Sequence, residues 1–166
     1  MATYQKVGTF VLMNGRKVGG NVAAYFTLAD GKVLHVVAGP VDAETLLEEA
    51  RWVIETRKLA ILESKGNANK YKEIFRKAHA ERLHADYGIN GQRLGGLNNA
   101  TAFTPFSPLF QKNLAANKGR HQAQIHYLMY SQPLADIKQI YPIVFEKILY
   151  QHVSGKPVAE VDTRPK

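Results

Sequence analysis

Residues 21–55, NVAAYFTLADGKVLHVVAGPVDAETLLEEARWVIE, decide how the chain folds. Val22 to Leu28 and Val33 to Val37 are two β-rich runs around Ala29-Asp30-Gly31-Lys32, a turn chemistry that sends the chain back on itself. The second run is apolar throughout except for His35, the pattern of a strand covered on both faces. Ala38-Gly39-Pro40-Val41 ends it. Asp42 then offers a carboxylate to the orphan amides of a first helical turn, and Val41 with Leu46 fits the spacing of a hydrophobic staple. A helix with the stripe Leu46, Leu47, Ala50, Val53 and Ile54, continuing toward Ile61, is expected to lie with that stripe on the hairpin.

Working outward, Thr9 to Met13, Asn14-Gly15 and Arg16 to Val18 read as a second hairpin, because both central positions of a type I′ turn favour Asn-Gly. Ser64 to Asn67 breaks the first helix. Ala68 to Tyr87 is the next, with the stripe Tyr71, Phe75, Ala78 and Leu83 and with Gly88 as its terminating glycine. From Ile89 to Gly119 periodicity vanishes among Gly91, Gly95, Gly96, Pro105 and Pro108, and Phe103, Phe106 and Phe110 suggest a loop that is packed down. Gln122 to Ser131 alternates, with Ile125, Tyr127 and Met129 opposite His126, Leu128 and Tyr130, and reads as a strand. Leu134 to His152 is helical, Pro142 kinking it or starting a second helix. The tail from Ser154 reads as extended.

The fold class expected is therefore α/β or α+β, a small sheet with an antiparallel hairpin packed by helices and a helical C-terminal extension. A single domain covers residues 1–153, divided into the hairpin and first helix (1–63) and a mainly helical part with one strand (64–153), with a tail at 154–166. A chain of 166 residues with 45% hydrophobic and 22% charged residues is of single-domain size and globular composition. No apolar run approaches the ~20 residues of a membrane helix. The opening residues Met1 to Lys6 lack a secretory pattern, and localisation stays open.

The stretch Gly20 to Glu49 resembles the C-terminal half of a thioredoxin-like domain, in which an apolar strand, a tight turn with glycine, a second apolar strand ending in glycine and an amphipathic helix follow in this order. The resemblance covers roughly a fifth of the chain. It implies a thioredoxin-like interaction or structural module, part of a larger protein or assembly. The CxxC motif and the cis-proline of that family have no counterpart here, so no active-site residue carries over.

The chemistry is bounded first by what is missing. With no cysteine, thiolate catalysis, zinc-thiolate sites and dithiol redox activity are excluded. Ser64, Ser107, Ser131 and Ser154 lie outside any nucleophile elbow. The run GINGQRLGG (88–96) lacks the Walker ending and the G-x-G-x-x-G spacing. His79 with His84 and His121 with His126 are five apart, which on a helix splays the rings by ~140° and disfavours a shared metal; structural, hydrogen-bonded histidines are the expectation, with no metal ligands, no cofactor and no catalytic residue assigned. A histidine-dependent enzyme using His126, Tyr130 or His121 is a further reading, requiring those groups to converge.

A net charge of +8 favours anionic partners. The acids of Asp42 to Glu63 and the bases of Lys65 to His84 suggest that two neighbouring helices pair with each other. The interleaved bases and aromatics of the second helix make Lys70, Lys72, Arg76, Lys77 and Arg82 the candidate binding residues for nucleic acid or another anionic partner. The preferred expectation is a protein partner or a homo-oligomer.

Overall fold

The computed structural model describes residues 4–7, 10–13, 16–18, 22–90 and 121–150, the first three spans as strands without their side chains. The expectations for residues 91–120, including the phenylalanine-bearing loop, and for the tail lie outside these residues. The protein is mixed α and β, as its sequence predicts. Strands β1 (Tyr4–Val7), β2 (Phe10–Met13) and β3 (Arg16–Val18) form an antiparallel meander in the order β1-β2-β3, with Met13 opposite Arg16 across the expected two-residue connection.

β4 (Ala23–Thr27) and β5 (Val33–Ala38) are the expected hairpin. Gly31, at φ 83°, takes the left-handed position of the turn and donates its N–H to Leu28 O at 3.0 Å. The ladder pairs Phe26 with His35 but Thr27 with Val33, so Leu34 is the extra residue of a β-bulge. β5 is buried from Val33 to Val37. Its open edge is met by a side chain and by backbone: the Gln122 amide donates to Val36 O at 2.8 Å and accepts from Ala38 N at 3.2 Å, while Val33 N donates to the Ala135 carbonyl at 2.9 Å. Strand edges are otherwise templates for pairing, and at these three positions this one is occupied by its own chain.

Helix α1 (Ala43–Ser64) is capped by Asp42, whose Oδ1 accepts from Thr45 N at 2.7 Å. Helix α2 (Ala68–Tyr87) is capped by Asn67 and ends at Gly88, which has φ 67° and donates to His84 O. The orientation of α1 corrects the sequence reading. Its buried ridge is Glu49, Val53, Thr56, Ala60 and Ser64, whereas Leu46, Leu47, Ile54 and Ile61 are exposed, as is Val41 of the expected staple. Val53 belongs to both stripes, and the exposed apolar residues are rotated from the buried ridge by roughly a quarter to a third of a turn. Small residues on the inward ridge let α2 approach closely, and Glu49 must face inward to meet charged partners there, so polar pairing and close packing override the larger apolar stripe.

A second correction concerns residues 121–131. They form helix α3 (His121–Ser131), not a strand. Eight of the eleven are buried, so the helix is covered nearly all round; every spacing of apolar residues is compatible with such a position, and alternation is then uninformative. Helix α4 (Ile137–Pro142) follows, capped by Asp136, and Pro142 hands the chain to a π-helix, Ile143–Ile148. The core is built where β5, α3 and the π-helix meet, from Val33, Val36, Ile125, Leu128, Ile140, Val144 and Ile148. A second group, Leu34, Val53, Ala60 and Phe75, joins β5 to α1 and α2. Between these groups stand three histidines.

Candidate metal centre

His35 comes from the middle of β5, His79 from α2 and His126 from α3, and all three are fully buried. Their ring centroids form a nearly equilateral triangle with sides of 5.1, 5.2 and 5.4 Å. One ligand nitrogen from each lies within 4.8 Å of the others. Trp52, projecting from α1, caps the group at 5.0 to 5.7 Å from each imidazole centroid.

The outer nitrogens are anchored. His35 Nε2 donates to Glu49 Oε2 at 3.0 Å, and Glu49 in turn accepts from Arg82 Nη1 and Nη2, both at 2.9 Å. Arg82 Nε reaches Asp86 Oδ2 at 2.9 Å, and the guanidinium lies 5.0 Å from the Trp52 ring centroid. With the His35 Nε2 proton committed to a carboxylate, the 3.3 Å approach of the Gln122 amide nitrogen to the same atom is a packing contact, because two donors face each other. His79 Nε2 donates to Leu34 O at 2.9 Å, the carbonyl of the bulge residue.

These anchors assign the remaining protons. His79, with its proton on Nε2, has a bare Nδ1, and His126 Nδ1 donates to it at 3.0 Å. His35 Nδ1 and His126 Nε2 are buried and have no hydrogen-bond partner among the described residues. Buried polar atoms are nearly always satisfied, and two orphans in one cluster are an exception that calls for a physical cause.

Electrostatics keeps the rings neutral. Burial lowers the pKa of His79 to about 3, helped by the neighbouring His35 and opposed by the Leu34 carbonyl. Burial likewise takes His126 well below the ordinary histidine value, with His35 and His79 adding to the effect. His35 is lowered by burial even though Glu49 favours its charged form. For Glu49, burial pushes the carboxyl up, but the bonds from His35 and Arg82 outweigh it and hold the group below the usual range. Three neutral imidazoles beside one ionised carboxylate are the protonation states a transition-metal site requires.

Of the five candidate binding residues, Lys70, Lys72 and Lys77 lie exposed on α2. Arg82 is clamped to Glu49, the inter-helix pairing that the opposite charges of α1 and α2 suggest, and Arg76 lies 3.4 Å from Glu73. Phe75 is buried and Tyr71 packs beside it, so the aromatics of α2 serve the core. The histidines five residues apart differ in burial: His79 is buried while His84 is exposed, and His126 is buried while His121 is half-buried. Tyr130, expected to act with His126, packs against the group containing Leu83, Ile89, Ala123 and Tyr127. The triangle escaped sequence reading because its members are 44 and 47 positions apart on three elements, where no local spacing registers. Its one trace was His35, the polar interruption of an otherwise apolar strand.

No protein-family model, curated protein or solved structure matches the chain.

Proposed function

We propose that the chain is a metal-binding protein whose centre, His35, His79 and His126, holds one first-row transition ion through three imidazoles. The observation that carries this reading is the anchoring of His35 Nε2 by Glu49 and of His79 Nε2 by the Leu34 carbonyl, which leaves each ring's Nδ1 as the bare nitrogen in the cluster. Carboxylate and carbonyl partners on the far nitrogen are the means by which proteins orient ligating histidines and raise their basicity. Two nitrogens on one ion at ~2.0–2.1 Å, with bond angles between a right angle and the tetrahedral value, stand ~2.9–3.4 Å apart. The 3.0 Å between His79 Nδ1 and His126 Nδ1 fits that spacing. For His126 to ligate through Nδ1, its proton would have to pass to Nε2, which has no hydrogen-bond partner among the described residues.

An all-imidazole set with no thiolate suits zinc, copper, nickel or cobalt rather than magnesium or calcium. The test is calorimetric titration of the chelator-treated protein with Zn²⁺. One ion per chain, lost in the His79→Gln variant, supports the proposal. Unchanged binding in that variant contradicts it.

A second reading rests on a separate observation. Leu47, Ile54 and Ile61 are exposed at seven-residue spacing along α1, the seam geometry of helix pairing. The partner is then a second copy of this chain, presenting the same seam; the protein-interaction role implied by the resemblance to thioredoxin-like modules would be exercised on this face.

A further inference from the structure

Resting on the metal-centre reading, we infer that the bound ion keeps one coordination position for a small anion, which reaches it along the groove between α1 and α2, past Trp52 and Arg82. Three imidazole nitrogens leave a tetrahedral ion one ligand short, and three-histidine centres with an exchangeable fourth ligand are the open type of site. Glu49 is the carboxylate nearest the triangle. Both its oxygens are spent, Oε2 on His35 and Arg82 and Oε1 on Arg82.

Charge makes the same demand. Ligating imidazoles are neutral, and Arg82 is shared between Glu49 and Asp86, which together exceed it by one negative charge, so a divalent ion would still bring one uncompensated positive charge into a buried site. Isolated buried charge is strongly disfavoured unless paired, and an anion on the free position pairs it.

A route exists. A groove of about 490 Å³ runs between α1 and α2, and its wall includes Trp52, which packs on the imidazoles, and Arg82, which holds the Glu49 carboxylate bonded to His35. Lys70 and Lys77 line it together with Glu63, Glu73 and Glu81. Such mixed walls favour a compact monoanion over a polyanion, which would meet three carboxylates. A cation is not needed to hold the anion outside the centre, because the ion itself supplies the attraction.

The experiment uses the full chain loaded with Co²⁺, whose visible absorption reports coordination, titrated with sodium azide. The expected result is a saturable shift of the cobalt bands. Leu59→Trp, a change at an exposed position on the groove wall, should leave the azide-free cobalt spectrum intact and slow azide association about tenfold, equivalent to ~1.4 kcal/mol of barrier. Cobalt bands that ignore azide overturn this inference while leaving the metal centre standing. Absence of cobalt bands overturns the metal centre itself. Equal azide rates in the two proteins overturn the proposed route.

Discussion

Glu49 on α1 and Arg82 on α2 meet through two parallel hydrogen bonds of 2.9 Å, and the same carboxylate holds His35 in place from the other side. One ion pair thus fixes the spacing of the two helices and the tautomer of a histidine on the sheet. Replacing Glu49 by Gln keeps the shape and removes the charge. Charge-assisted bonds contribute roughly 1.5–3 kcal/mol, and a partner left unpaired in a buried place costs more than the bond itself. Glu49→Gln is expected to lower unfolding stability by about 2 kcal/mol in a urea titration, and the Glu49→Gln/Arg82→Met double variant should lose less than the two single variants together. Strict additivity would show that the pair does not act as a unit.

The protein without metal should be acid-labile through its histidines. All three have folded-state pKa values below the ordinary ~6.5, His79 at about 3. The unfolded chain therefore binds more protons below that value, and stability present above pH ~6.5 is lost as pH falls toward the folded-state values. Each histidine contributes a slope of up to ~1.4 kcal/mol per pH unit, so three give up to ~4. Urea midpoints at a series of pH values from neutral down to mildly acid should fall steeply, and less steeply in His79→Gln. A flat profile would mean that the rings are charged or exposed in the folded protein.

The two stripes of α1 make opposite predictions for neighbouring apolar residues. Leu47 is 50% exposed and Val53 only 4%. Leu47→Ala is expected to change stability by no more than about 0.5 kcal/mol, whereas Val53→Ala should cost about 1–3 kcal/mol and Phe75→Ala about 3–5. Urea or thermal unfolding distinguishes them. A large loss in Leu47→Ala without a change of oligomeric state would reverse the assignment of the faces.

If the outward seam pairs two copies, wild-type protein should sediment as a dimer and Ile54→Lys as a folded monomer with unchanged circular dichroism. A wild-type monomer at micromolar concentration removes that partner.

How far the sequence could be read follows from which forces were local. The β4–β5 hairpin, the cap Asp42, the break at Ser64 to Asn67 and the stop at Gly88 are set by residues a few positions apart, and each is found where turn and capping chemistry put it. The facing of α1 is not local: it depends on Glu49 finding Arg82 33 positions away, a match that a count of leucines overlooks. Helix α3 was unreadable for the opposite reason, since burial on nearly all sides erases periodicity. The histidine triangle combines both difficulties. His35, His79 and His126 each look like a lone core histidine, and only the bulge at Leu34, the inward turn of Glu49 and the helical state of residues 121–131 bring them together.

X-ray absorption at the zinc edge of the zinc-loaded protein reads the three-histidine centre itself. The expected spectrum has three imidazole nitrogens at ~2.0–2.1 Å with the outer-ring scattering that histidine produces, and that signal is lost when His35, His79 or His126 is replaced. A zinc shell built from oxygen alone, or an unchanged histidine signal in all three variants, would contradict it.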